Sequence, residues 1–166
     1  MDGRVLPWLA WKYGVEGLLY HNLNWWFMQI GFDAMAAFQG RGPRQPTWHP
    51  EPLRWPHVLW QPQATPGYNG DGMLMYPGPE GRPLSSVRLV NIRDGLEDYE
   101  TLWLLRRRIQ EREAAGKTVP EEIQRLLTVP SEVAADLRHY SLNPSPLLLQ
   151  RRRLAEALER LGGGGE

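Results

Sequence analysis

Seven prolines, at positions 43, 46, 50, 52, 56, 62 and 66, punctuate the stretch between Gly40 and Gly70. Proline has no backbone N–H and a locked φ, so regular helix and central strand are both excluded there. The chain is thereby reduced to two foldable parts joined by a long irregular loop. Trp48, Trp55 and Trp60 lie inside that loop. Large aromatics are poor passengers in a disordered linker, so an ordered loop that packs its own side chains is expected, with a place at the rim of a site as the second reading.

Before the loop, residues 7–13 (Pro-Trp-Leu-Ala-Trp-Lys-Tyr) open on a proline that a first helical turn tolerates and stop at Gly14, suited to a left-handed helix terminus. They predict the last turns of a helix. Residues 15–21 are apolar at both alternations except at Glu16, which predicts a short strand covered on both faces, as in a parallel α/β sheet. Trp26, Phe27, Ile30, Met35 and Phe38 then predict a helix within residues 22–39, weakened by Gly31.

After the loop, residues 72–76 (Gly-Met-Leu-Met-Tyr), closed by Pro77-Gly78, predict a second short strand. Ser85 or Ser86 can cap a helix from Val87 that breaks or bends near Gly95 and resumes from Leu96 to about Ala115, with Leu96, Tyr99, Leu102, Trp103 and Ile109 on one stripe. Residues 120–127, 131–140 and 146–161 each carry a helix start signal and helical spacing. The closing Gly-Gly-Gly-Gly-Glu predicts a tail without fixed conformation. The expected division is a segment over 1–116, a helical extension over 117–161 and the tail over 162–166.

Bulk properties narrow the function. Lys+Arg 19 against Asp+Glu 19 leaves a formal charge of zero, so no summed field favours nucleic acid or an anionic membrane surface. Cys 0 removes disulfides, thiolate metal sites and a cysteine nucleophile. No apolar run reaches the about 20 residues of a membrane span, and Met-Asp-Gly-Arg lacks the order of a leader peptide. A soluble chain with no nucleic-acid and no membrane partner is expected, and the export of a longer parent stays open. His49, Glu51 and His57 match no zinc spacing, and Pro50 and Pro52 disrupt the helical face such motifs use. Neither a metal nor any other cofactor is expected. The runs Arg106 to Arg108 and Arg151 to Arg153 sit among acidic residues in amphipathic helices, which predicts solvated faces.

Two short strands, both apolar on two faces, cannot stand alone, because an isolated pair is marginal in water and offers no cover for either face. The expected fold class is therefore α/β: the C-terminal portion of a (β/α)8 TIM-like barrel, with about two parallel-type strands, followed by a helical C-terminal region.

The segments "WLAWKYGVEGLLYHNLNWW", "NGDGMLMYPG" and "PLSSVRLVNIRDGLEDYETLWLL" occur in that order over residues 8–105, and "LNPSPLLLQRRRLAEALERL" follows. This combination resembles the C-terminal part of the domain of unknown function 4091, grouped with the catalytic domain of glycoside hydrolase family 123. The resemblance implies a (β/α)8 barrel that removes β-linked N-acetylgalactosamine with retention, the substrate's own 2-acetamido oxygen attacking the anomeric carbon so that the protein supplies no nucleophile. It also implies an adjacent Asp-Glu pair on a mid-barrel strand. That pair has no counterpart here, since Glu97-Asp98 is reversed and lies in a predicted helix, where neighbours point about 100° apart.

In a barrel the C-terminal strand ends and the loops after them build the site. On that geometry Tyr20, His21, Asn22, Asn24 and Trp25 line the cleft, with Tyr76 and Arg88 as further candidates. The amides offer donors and acceptors to sugar hydroxyls, and the indole offers a stacking face. Similar family members carry an aromatic where His21 stands, a departure that changes the shape of the subsite. The bland reading of Trp25 and Trp26 is that they start a helix and pack. Glu16 and Asp71 precede their strands and are left out. Arg93, Asp94, Asp98 and Glu100 are spaced for ion pairing along or across a helix, which predicts a structural network ahead of a catalytic cluster. The expected partners are a carbohydrate substrate and the N-terminal remainder of the barrel, without which the chain is inactive. The alternative is a non-catalytic carbohydrate-binding or interaction module.

Overall fold

The computed structural model describes residues 2–20, 23, 29–30, 47–48 and 74–162. Its contacts divide the chain into two compact units, residues 1–18 with 90–166, and residues 19–89.

The first unit is helical. Helix α1 (Asp2–Tyr13) begins earlier than predicted and holds Pro7 in its interior. It ends where Gly14 takes φ +62°. There the Gly14 N–H donates to Trp11 O at 3.2 Å and the Val15 N–H to Ala10 O at 2.9 Å, the paired closure of a helix by a left-handed residue. Helix α2 (Val87–Ala114) ends in the same way. Gly116, at φ +69°, donates to Glu113 O at 3.0 Å while Lys117 donates to Arg112 O at 2.9 Å. A short helix α3 (Glu121–Gln124) runs on into a 3₁₀ turn at Arg125–Leu127, and α4 (Ser145–Gly162) follows.

Along α2 the buried positions are Gly95, Asp98, Leu102, Leu105 and Ile109, and along α4 they are Leu147, Gln150, Leu154, Ala157 and Leu161. Both sets step by three and four residues, the narrow seam of packed helices. Val5, Trp8, Leu9, Trp11, Val119, Ile123, Val129, Val133 and Ala134 complete the core. Each fully buried large apolar side chain contributes roughly 1.5–3 kcal/mol through water exclusion. The predicted stripe on α2 was partly misplaced, because Leu96 is 52% and Trp103 42% exposed.

Nor does α2 break at Gly95. A methyl group built there would stand 2.6 Å from the Arg4 carbonyl oxygen and 3.0 Å from the Pro7 ring, so the residue is bare to let α1 approach. Residues 131–140 are not the predicted helix either. They form turns and bends closed by an isolated bridge between Ala134 and Tyr140. A helix would join the N–H groups of Arg138 and His139 to the carbonyls of Ala134 and Ala135. Lys12 Nζ instead donates to those two oxygens at 2.7 and 2.9 Å. The Asp136 carboxylate accepts the two N–H groups at 2.7 and 2.8 Å. All four helical bonding groups are thereby diverted.

In the second unit every strand pairing among the described residues is antiparallel, which corrects the parallel-type expectation. Strand β1 (Gln29–Ile30) pairs with β2 (Thr47–Trp48), so the helix predicted over 22–39 does not run through residues 29–30, and the Pro-rich loop carries a short ladder at Thr47–Trp48. Strand β3 (Met75–Pro77) pairs with β4 (Pro83–Ser85), with Met75 opposite Ser85 and Tyr76 opposite Leu84. A 3₁₀ turn at Pro79–Gly81 joins them, with Glu80 at φ 56°. The strand predicted over residues 15–21 is absent where described: residues 15–20 are irregular, and Leu19 is 94% exposed. A strand exists through its ladder, and among the described residues none lies alongside. The structure is thus mixed α/β and mostly helical. No described helix is long and apolar enough to cross a membrane. Of the predicted tail, Gly162 is the last residue of α4, and 163–166 lie outside the described residues.

Candidate functional site

Three of the predicted site residues, Tyr20, Tyr76 and Arg88, are described, and all belong to the 19–89 unit. Their segments converge on one short piece of backbone. The carbonyl of Leu23 accepts the N–H groups of both Leu74 and Met75, at 3.0 and 2.9 Å, which ties the stretch after Tyr20 to the start of β3. Tyr76 is the next residue of that strand. Ser86 Oγ donates to the carbonyl of the buried Leu74 at 2.6 Å and accepts the Leu89 N–H at 3.2 Å. The serine is therefore both the predicted cap of α2 and the anchor that sets Arg88 two residues on. Tyr20, Tyr76 and Arg88 are each half-buried.

Two phenols and a guanidinium carried by tied segments supply hydrogen-bond donors, acceptors and flat faces, the inventory that polyhydroxylated ligands use. His21, Asn22, Asn24 and Trp25 lie outside the described residues, as do His49, Glu51, His57 and Asp71. No group of three metal-ligating side chains occurs among the described residues.

Asp94, Glu97 and Asp98 of α2 form a structural network, whereas Glu100, expected to join it, is exposed and has no ion pair among the described residues. Asp98 is 0% exposed. Its Oδ2 accepts Arg4 Nε at 2.9 Å and Trp8 Nε1 at 3.0 Å, and its Oδ1 faces Arg4 Nη2 at 3.2 Å and Arg151 Nε at 3.0 Å. The bond to Asp98 raises the Arg4 pKa above its ordinary value, against the lowering effect of burial and with the neighbouring acids adding to the rise. Asp94, 3.7 Å from Arg4, is bonded by Arg93, which lowers its carboxyl pKa. Glu97 is exposed and lies 3.5 Å from Arg151 and 3.6 Å from Arg93. Glu97 and Asp98 therefore leave the helix in different directions, and a carboxylate enclosed by four donor contacts has no open side to offer a substrate. Arg4 and Trp8 carried a legible signal, since they stand four apart on one helix face. Arg151 carried none.

Helix α1, the β3–β4 hairpin and α2 as far as Leu105 all fall within the stretch that the sequence model of a hydrolase family matches. Residues 1–105 match the sequence model of the glycoside hydrolase 123 catalytic domain. The chain belongs to that family of glycoside hydrolases, and the resemblance drawn from its three ordered segments is borne out. No curated protein matches the chain. The end of α2, α3 and α4 lie beyond the matched residues.

Proposed function

We propose that the chain forms the closing portion of a (β/α)8-barrel glycosidase acting with retention on β-linked N-acetylgalactosaminides. In this reading the substrate's acetamido oxygen is the nucleophile, and the acid and the acetamido-orienting carboxylate come from barrel units outside these 166 residues. Tyr20, His21, Asn22, Asn24, Trp25, Tyr76 and Arg88 contribute to the sugar subsite, the amides through hydrogen bonds and Trp25 by stacking. Residues 117–161 then form a helical extension that shares its core with the barrel's last helix. The family match over residues 1–105 carries the proposal. The convergence of the Tyr20, Tyr76 and Arg88 segments at Leu74 supports the assignment of the subsite.

The test is complementation. The chain, the separately produced remainder of the barrel and their mixture are assayed with an aryl β-N-acetylgalactosaminide. Hydrolysis by the mixture alone is expected. Hydrolysis by the chain alone would place a complete acid function in these residues and overturn the division of labour. Binding of N-acetylgalactosamine to the chain, with no hydrolysis in any mixture, would establish the carbohydrate-binding module instead. That rival is favoured by one observation, the missing Asp-Glu order in the sequence.

A further inference from the structure

Strands β3 and β4 pair over three positions, and the third sets Pro77 opposite Pro83, neither of which has an N–H to donate. The ladder that fixes the register of Tyr76 is therefore short of backbone bonds. Its turn end is closed by Gly78, whose N–H donates to Arg82 O at 2.9 Å. At the other end the next residues in register are Leu74 and Ser86, both buried. Ser86 Oγ donates to the Leu74 carbonyl at 2.6 Å, so a side chain supplies one more rung.

The same oxygen accepts the Leu89 N–H at 3.2 Å. A capping hydroxyl needs only that second bond, since a helix N-terminus presents unsatisfied donors. The bond to Leu74, twelve residues back, serves something other than the helix. Leu74 passes the connection on, because its own N–H and that of Met75 both meet the Leu23 carbonyl. Leu23 stands between Asn22 and Asn24 in the sequence. One hydroxyl thus completes a run of bonds, all pointing the same way, from the first turn of α2 through Leu74 to Leu23. Bonds aligned in this manner strengthen one another. We propose that Ser86 is the positioning residue of the sugar subsite, a role that rests on the glycosidase reading: it acts through the backbone it holds, keeping the segments of Leu23, Tyr76 and Arg88 in fixed relation. Small displacements of binding groups cost up to about 100-fold, and groups that bind without reacting show the loss in KM.

The test takes the chain assembled with the remainder of the barrel, an aryl β-N-acetylgalactosaminide as substrate, and a thermal melt for each variant. Three substitutions separate the two bonds of the serine. Ser86→Ala removes both and is expected to raise KM roughly tenfold with kcat changed less than about threefold. Ser86→Asp keeps an acceptor for the Leu89 N–H, and aspartate caps helices as well as serine does, yet a carboxylate has no proton for the Leu74 carbonyl. The same rise in KM is expected. Ser86→Thr keeps both bonds and should stay within about threefold of the parent. Asn143→Ala is the control: it removes the Oδ1 that accepts the Ser145 N–H at the start of α4, and should lower the melting temperature with KM unchanged. A parental KM in Ser86→Asp makes the serine a helix cap alone and overturns the proposal, as does a rise in Ser86→Ala that Ser86→Thr does not reverse. A parent assembly that neither binds nor hydrolyses the glycoside overturns the glycosidase reading and this role with it, whereas a working parent beside an unaffected Ser86→Asp removes this role only.

Discussion

Nε of Arg151 stands 3.0 Å from Oδ1 of Asp98, joining the last helix to a carboxylate that also holds Arg4 and Trp8 of the first. Three helices therefore share one fully buried charge. The junction crosses the boundary of the family match, because Asp98 lies within residues 1–105 and Arg151 beyond them. The helical segment after residue 105 is part of the same core rather than an appendage.

Asp98→Ala leaves the largely buried Arg4 guanidinium without its main partner, and breaking such a pair from one side costs about 3–5 kcal/mol. Arg151→Ala removes a half-exposed partner, so only about 1 kcal/mol is expected after solvent screening. Urea unfolding followed by tryptophan fluorescence should rank the two in that order. A chain ended before Ser145 loses Leu147, Leu154, Ala157 and Leu161 from the core and should no longer unfold cooperatively.

Gly95→Ala tests the close approach of α1 and α2. In an open helix this change stabilises by about 1 kcal/mol. Here the new methyl meets backbone oxygen at 2.6 Å, so a net loss of roughly 1–3 kcal/mol is expected. A raised melting temperature would show that the helices separate freely.

Asp136 sets a pH window. The His139 side chain first, and then the N–H groups of Arg138 and His139, hold its carboxyl at about 2 against an ordinary 3.8. The folded chain binds this proton more weakly than the unfolded chain. The contribution of Asp136 is therefore complete above the ordinary value and is lost as pH falls through the folded one. Stability measured between pH about 4 and about 2 should fall more steeply in the parent than in Asp136→Asn. Parallel slopes would remove the residue from the account.

Trp25→Ala probes the proposed subsite. In the assembled enzyme the loss of a stacking indole should weaken substrate binding by roughly 1–3 kcal/mol, read as a raised KM with little change in melting temperature. An unchanged KM with a lowered melting temperature would make Trp25 a core residue.

What could be read along the chain were features decided within a turn or two of the residue that signals them. Gly14 closes α1, Ser86 caps α2, and the start signals near residues 120 and 145 open α3 and α4, because capping geometry involves only neighbouring backbone groups. The family, too, was legible, since three ordered segments suffice to mark it. Contacts between residues far apart decided the rest. Gly95 reads as a helix breaker until Arg4 and Pro7 are placed against it. Residues 131–140 read as helix until Lys12, more than a hundred positions away, takes their carbonyls. Val15, Leu18 and Leu19 read as a doubly covered strand, yet burial belongs to neighbours and not to side chains, and on this chain all three are exposed. Asp98 looked like one acid among several on a helix. Only the folded core, by removing water and bringing Arg4, Trp8 and Arg151 around it, makes it the charge on which three helices meet.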